Sequence, residues 1–246
     1  MTTSLPGAAQ LYDVIEATWP PAARWQEGPW TLRDGQGGGK RVSAATARGD
    51  VGAQDVAKAE AAMRKMGQRP LFMLREGDAP LDALLEEAGY DIVDPVNIYA
   101  IALADLDLTP PEATASFHLW EPLAIQRDIW ASGGIGPARI AVMERVRGPK
   151  TALLGRTSGR AAATGFAAMD GKTAMVHTLE VLPEHRRCGV ARTLMTEAAI
   201  WARGEGAEIL SVICTAQNVA ANALYSGMGM TLVGRYHYRQ HPGEAA

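Results

Sequence analysis

Cysteine is scarce in this chain of 246 residues: only Cys188 and Cys214 occur. Two thiols build no disulfide framework, which suits a reducing compartment. No Cys/His set has the spacing of a metal site, so no metal is expected. An excess of positive charge is missing as well. The net charge is −3 and the pI about 6.0. That argues against nucleic acid as the main partner, because such binding leans on a basic field. No uninterrupted apolar run is long enough to span a bilayer. Met1 to Ala9 carries no lysine or arginine ahead of an apolar stretch, so no secretory signal is read there. Together these absences predict a cytoplasmic protein without a membrane or nucleic-acid partner.

What is present is an ordinary globular composition, 47% apolar and 21% charged, in a length that fits one large domain or two small ones. Along the chain, Gln10–Thr18 reads as a short helix stopped by Trp19-Pro20-Pro21. Gly28–Arg33 and Lys40–Thr46 read as two strands of a hairpin around the glycine-rich turn Asp34–Gly39. Gly39-Lys40 invites comparison with a Walker phosphate loop. The pattern fails twice, with Asp34 at the first glycine position and Arg41 where Ser or Thr belongs. Helices follow from Asp55 to Met66 and from Pro80 to Ala88, each stopped by a glycine. They alternate with strands at Pro70–Leu74, Asp91–Val93 and Val96–Leu103. Asp105–Ala113, stiffened by Pro110-Pro111, is the best linker. It divides the chain into an N-terminal α/β lobe, 1–108, and a second domain, 109–246.

The second part reads strand (Phe117–Trp120), helix (Pro122–Ala131) and helix (Pro137–Val146). Three strands joined by tight turns come next (Thr151–Arg156, Arg160–Ala168, Lys172–Leu182). A long helix (Cys188–Arg203), a strand (Ile209–Cys214), a short helix (Asn218–Gly227) and a last strand (Thr231–Arg239) complete it. The most informative stretch is Leu179–Arg192. Pro183 stops a buried strand because proline cannot donate to a ladder. A basic turn, Arg186-Arg187-Cys188-Gly189, then opens a helix with Val190, Leu194, Ala198 and Trp201 on one stripe. The first amides of a helix have no internal partner and lie at the positive end of its dipole. Gly189 permits close approach of the backbone, Ala191 keeps the next position small, and Arg186, Arg187 and Arg192 add charge. That combination predicts a phosphate or pyrophosphate pocket at a strand end.

These residues resemble a family. Arg186-x-x-Gly189-x-Ala191, preceded by Leu179-x-Val181-x-Pro183, is similar to the cofactor motif of the GCN5-related N-acetyltransferases. Asn218-x-x-Ala221-x-x-x-Tyr225, followed by Gly227-Met-Gly229, resembles the family's next helix. The two motifs fall in the right order, one helix and one strand apart. The resemblance covers roughly Phe117–Arg239.

It implies an α+β fold, an α/β sandwich with a central mixed, mostly antiparallel sheet. That sheet splays at the cofactor cleft between Ala174–Leu182 and Ile209–Cys214. The smaller N-terminal α/β lobe loosely resembles an extra front lobe of some bacterial relatives, a degenerate half of the same fold. The implied activity is direct transfer of an acetyl group from acetyl-CoA to a primary amine of a small molecule or peptide. The alternative is a non-catalytic acyl-CoA-binding regulator or sensor. Nothing in the sequence fixes the acyl length, and a monomer and a homodimer are both open.

The resemblance also implies site roles. Backbone amides of Arg187, Cys188, Gly189, Val190, Ala191 and Arg192, with the charge of Arg186, hold the pyrophosphate. Main-chain atoms of Leu179, Glu180 and Val181 align the pantetheine arm. Tyr225 sits near the sulfur as the acid; a phenol titrating near 10 is protonated at neutral pH. Asn218 starts the tyrosine's helix and is also an ordinary N-cap. His177 is a candidate base, since an imidazole titrates in the useful range, or it is a structural histidine of the sheet. Glu180 is the second candidate base, facing away from its apolar neighbours by strand alternation. Cys188, beside arginines at a helix start, has the setting of an activated thiol, but the family transfers the acetyl group directly. Tyr236-His237-Tyr238-Arg239 frames the acceptor pocket or forms a half-exposed edge strand. Trp120 and Trp130 read as core and cleft wall.

Overall fold

The computed structural model describes residues 4–244. Met1–Thr3, part of the stretch read for a leader, lie outside them. In chain order the front segment holds α1 (Ala8–Thr18), β1 (Ala23–Glu27), β2 (Trp30–Asp34), α2 (Lys40–Ser43) and β3 (Thr46–Ala47). It continues with α3 (Ala53–Lys65), β4 (Phe72–Leu74), α4 (Ala79–Glu87) and β5 (Asp91–Ala102). A stretch without helix or strand follows a short 3-10 turn at Leu103–Asp105 and covers most of the expected linker. Then come β6 (Ser116–Leu119), α5 (Ala124–Ser132), α6 (Pro137–Arg145), β7 (Lys150–Thr157), β8 (Arg160–Asp170) and β9 (Thr173–Val181). The chain ends with α7 (Val190–Gly204), β10 (Ile209–Thr215), α8 (Val219–Gly227) and β11 (Thr231–Gln240).

Eight strands form one sheet in the order β4-β11-β5-β10-β9-β8-β7-β6. Its one parallel pair is β9 with β10, and the other neighbours run antiparallel. The parallel pairing runs only from Thr173/Ile209 to Val176/Val212. Beyond that point the two strands part, and each keeps only its outer neighbour, β8 for β9 and β5 for β10. The result is a slot through the sheet. Val190, Leu194, Met195, Ala198 and Trp201 of α7 pack on one face with Val176, Leu210 and Tyr225. On the other face α1 buries Leu11, Tyr12 and Ile15 against Ile98, Met175 and Tyr236. Trp130 of α5 and Ile140, Val142 and Met143 of α6 pack nearby with Trp19 and Phe166. A separate small sheet, β1-β2-β3, packs Trp30 and Leu32 with Val56, Ala59 and Met63 of α3.

Two expectations change. The expected boundary at 108/109 runs through a continuous sheet, because β5 lies between β10 and β11 and β4 pairs with β11. Part of 1–108 therefore builds the wall of the slot. The hairpin expected around Asp34–Gly39 is also displaced. The turn sits earlier, at Gly28-Pro29, with Ala23–Glu27 pairing with Trp30–Asp34. Lys40–Ser43 is helical rather than extended. The glycine run lets this turn sink inward: a Cβ on Gly38 would lie 2.5 Å from a methyl of Val142. Its burial brings Lys40 and Arg41 to the slot.

Candidate active site

A cleft of about 1060 Å³ follows the slot from the start of α7 to the α1 face. Its walls include Leu179, Glu180, Val181, Arg186, Arg187, Gly189, Ala191, Arg192, Asn218 and Tyr225. It also takes in Trp19, Arg41, Asp94, Arg139, Tyr236 and Tyr238. The first group is near-contiguous in sequence and the second is not.

At the α7 end, a 3-10 turn over Pro183–His185 carries the chain off β9. Arg187 (φ 65°) and Gly189 (φ 80°) are both left-handed, with Cys188 between them. This fold of the turn delays the helix start from the expected Cys188 to Val190. Among the described residues, no backbone or side-chain acceptor takes the amides of Arg187 through Arg192; the first bond into the helix is Thr193 N–H to the Gly189 carbonyl, 3.1 Å. Consecutive free amides in such a turn form an anion-binding concavity at the positive end of a helix dipole.

The arginines divide. Arg187 has no partner among the described residues. Arg186 folds back to donate from Nε to the Val181 carbonyl (3.1 Å) and pairs with Glu180 at 3.5 Å. Arg192 donates to the Gly227 carbonyl at the end of α8, 3.0 Å. Cys188 is exposed and free.

At the parting of the strands, Thr178 has φ 48° and the β8–β9 register shifts around it. This bulge reverses the side-chain alternation. Leu179 and Val181 consequently pack toward the α7 side, whereas His177, two residues before Leu179, contacts Thr18 and Trp19 on the opposite side. Trp130 pins the bulge by donating from Nε1 to the Thr178 carbonyl, 2.9 Å.

His177 is 2% exposed. Arg41 Nη1 donates to its Nδ1 (2.8 Å), and its Nε2 meets the hydroxyl of Thr18 (2.9 Å). Since Arg41 only donates, Nδ1 is the unprotonated nitrogen and Nε2 carries the hydrogen. The Thr18 hydroxyl passes its own hydrogen to the Val14 carbonyl, 2.6 Å. Burial, and then the Arg41 charge, push the imidazole pKa well below its ordinary value. No lone pair is left to take a proton from an amine. The structure therefore removes His177 as a base and makes it an anchor for Arg41.

Glu180 keeps its place on the cleft wall, half-buried, and its carboxyl group lies against Gly133 at the end of α5: a Cβ there would come within 2.5 Å of it. Tyr225 is 3% exposed, its ring 5.8 Å from that of Tyr99. Burial raises its phenol pKa well above the ordinary value, so it stays protonated across the neutral range. Cys214, on the facing wall, has its thiol pushed up to about 11 by burial. Asn218 caps α8, its Oδ1 accepting from Ala221 N–H at 3.0 Å.

The Tyr236–Arg239 stretch is an interior strand, paired with β5 and, at its end, with β4. Tyr236 and Tyr238 are buried, line the cleft and meet edge to face, with ring centroids 5.6 Å apart. His237 and Arg239 instead engage Asp82 of α4. Trp19, Arg41, Asp94 and Arg139 reach the cleft from four elements or loops and belong to no motif. The Gly37-Gly38-Gly39 run, which lets α2 approach, is the signal that marks Arg41. Among the described residues no group of three or more His, Cys, Asp or Glu side chains gathers as a metal site, and no helix is long and apolar enough to cross a membrane.

Comparison with known proteins agrees with this layout. Residues 119–230 match the model of the acetyltransferase (GNAT) family. An uncharacterized N-acetyltransferase of Bacillus subtilis, YobR, is 24% identical over 233 residues, covering 91% of this chain and 94% of that protein. A GCN5-related N-acetyltransferase from Kribbella flavida superposes with a TM-score of 0.73 at 19% identity, covering 98% of this chain and 97% of that one. A tandem GNAT protein from the clavulanic acid biosynthesis pathway gives 0.59 at 14% identity, covering 90% and 84%. The two structures share the fold, and the family model falls on the segment that carries both motifs. Residues 119–230 are thus similar to the acetyltransferase (GNAT) family, and the chain has the fold of a GCN5-related N-acetyltransferase.

Proposed function

We propose that this protein transfers an acetyl group from acetyl-CoA directly to a primary amine of a small molecule or peptide. The observation that carries the reading is the run of unpartnered amides from Arg187 to Arg192, opening on a cleft that continues through the sheet. The diphosphate of coenzyme A is the group such a run accepts, with Arg187 supplying an uncommitted positive charge. Arg186 and Arg192 contribute field while holding the turn to β9 and α8. The unpaired edge of β9, at Leu179, Glu180 and Val181, offers main-chain groups to the amide-bearing pantetheine arm. This places the thioester where β9 and β10 part.

The reaction joins the amine nitrogen to the acetyl carbon and breaks the carbon–sulfur bond. Tyr225 donates its proton to the departing sulfur. Burial keeps the Tyr225 phenol protonated across the neutral range, so it has a proton to give. Glu180 takes the proton released by the amine, directly or through water. It shares the cleft with the unpaired strand edge, and its carboxylate, unlike the imidazole of His177, is not enclosed. Asn218 fixes the start of α8 and so the position of Tyr225. Residues 109–246 carry this machinery, and the segment 1–108 closes its acceptor end.

The test is thiol release from acetyl-CoA with a panel of amines, comparing wild type with Tyr225→Phe. The reading expects turnover of at least one amine and a fall in kcat of about 100-fold in the variant, in the range of a lost general acid, with acetyl-CoA affinity retained. Binding of acetyl-CoA without turnover of any amine, or an unaltered kcat in the variant, would contradict it.

A further inference from the structure

We infer that the acceptor carries a carboxylate beside its amine, and that Arg41 binds that carboxylate. The inference rests on the acetyl-transfer reading and names its substrate class.

Arg41 is half-buried on the wall of the cleft. Its guanidinium lies 5.1 Å from the centroid of the Trp19 ring and gives one N–H to His177 Nδ1. Among the described residues no carboxylate pairs with it. That leaves a half-buried cation on the cleft wall without a counter-charge, open to an anionic ligand. The nearby acid does not supply one: Asp94 is committed to Lys40 at 2.6 Å.

The guanidinium is also held in place. His177 accepts from it, Thr18 accepts from His177, and the Val14 carbonyl accepts from Thr18. A neutral histidine with Nδ1 bare is the state that orients an arginine without neutralising it. A guanidinium has five N–H donors in a fixed fork, so one bond to His177 leaves the rest for a ligand. The fork matches a planar carboxylate better than a lone ammonium would.

The surroundings agree. Arg139 lines the same end of the cleft and has no ion pair among the described residues. Tyr236 and Tyr238 line the same cleft as Arg41. They add hydroxyl groups and apolar ring faces, which suit a small organic acid. His177 stands at the point where β9 and β10 part, so Arg41 is bonded to the very residue that marks the proposed thioester position. A carboxylate held by Arg41 keeps an amine a few bonds away in reach of that carbon.

The experiment measures kcat/KM on matched pairs with acetyl-CoA as donor. The probes are the standard L-amino acids plus β-alanine, γ-aminobutyrate and ε-aminocaproate, each against its carboxamide. The comparison is wild type, Arg41→Gln and Arg41→Lys, with thermal melts to verify folding. The expected result is a wild-type preference for acids over amides of about tenfold or more, the size of a charge-assisted contact. In Arg41→Gln the ratio falls to about one through a rise in KM for the acids. Arg41→Lys keeps part of the preference, because the charge remains and the fork does not. Wild type turning over amides as well as acids would overturn the inference. So would Arg41→Gln lowering both series by the same factor, or no panel acid being acetylated. Acetyl-CoA binding, measured separately by calorimetry, reads the underlying acetyl-transfer proposal. If it holds while the acid preference is absent, only the role of Arg41 fails.

Discussion

The two ends of the cleft offer a ligand different kinds of group. At the α7 end the groups on offer are backbone amides without partners among the described residues, shaped by the left-handed residues Arg187 and Gly189. At the α1 end they are side chains, several of them buried and already in contact with one another: Arg41 hydrogen-bonded to His177, His177 to Thr18, and the Tyr236 ring packed on Tyr238. On the proposed reading, main chain holds a diphosphate, a group common to every reaction with the same donor, and side chains hold an acceptor, which differs from one enzyme to the next. The first end is thus tolerant of side-chain change and intolerant of backbone change, and the second is the reverse.

The sharpest break of that contrast is at Gly189. A valine there would have to hold φ near 80°, at a cost of about 1–2 kcal/mol for a side chain in the left-handed region. The turn relaxes away from that shape, and its amides no longer converge. Calorimetry should show acetyl-CoA affinity falling by about 10- to 100-fold, the size of one or two lost charge-assisted bonds. Unchanged affinity would mean that side chains hold the diphosphate.

Gly133→Ala tests the acceptor end next. Its new methyl would meet the Glu180 carboxyl group at 2.5 Å and push it from the wall. We expect kcat to fall by about tenfold, within the range for a displaced general base, with acetyl-CoA affinity intact. An unaltered kcat would remove Glu180 from proton transfer.

His177→Gln separates an anchor from a base. The variant should lose about 1–3 kcal/mol of stability as buried partners are left unpaired, yet keep the shape of the wild-type pH–rate profile. The sign of its pH effect follows from its lowered folded-state pKa. The unfolded chain takes up a proton below about pH 6.5 and the folded chain resists it, so stability present above that pH drains away as pH falls. Denaturation midpoints at about pH 7.5 and about pH 5 should therefore differ more in wild type than in the variant. Loss of the profile's acid limb in His177→Gln would restore the histidine as a base.

The smallest effect belongs to Cys188→Ser. The residue is exposed, and its thiol hydrogen-bonds to the Arg186 carbonyl at 3.5 Å. Backbone recognition predicts kcat/KM within about twofold of wild type, the scale of a neutral surface change. A total loss would point to a covalent acyl-cysteine.

The same contrast sets what was legible in the amino-acid sequence. The α7 end lies in one stretch, Leu179–Arg192, where strand end, proline, basic turn, glycine and helix stripe follow one another. Its geometry is local, so its residues announce it. Tyr225 and Asn218 come with their own helix at a fixed spacing. The acceptor end joins Trp19, Arg41, Asp94, His177 and Tyr236, which only the sheet order brings together, and no local pattern encodes a strand such as β5 entering between β10 and β11. His177 shows how one residue misleads. Strict alternation puts it on the same side as Leu179, but the bulge at Thr178, held by Trp130 from a distant helix, turns it to the other. The glycine run at Gly37–Gly39 was visible as a turn, yet its outcome as a buried support for α2 depends on Val142, a contact more than a hundred residues away.

The central claim is that the amides of Arg187 through Arg192 hold the diphosphate of coenzyme A. Backbone amide NMR of the labelled protein, titrated in parallel with coenzyme A and with pantetheine, tests it most directly. Large shifts and slowed hydrogen exchange are expected for those six amides with coenzyme A, and little change with pantetheine, which lacks the diphosphate. Amides that stay unmoved under saturating coenzyme A, or respond equally to both ligands, would contradict it.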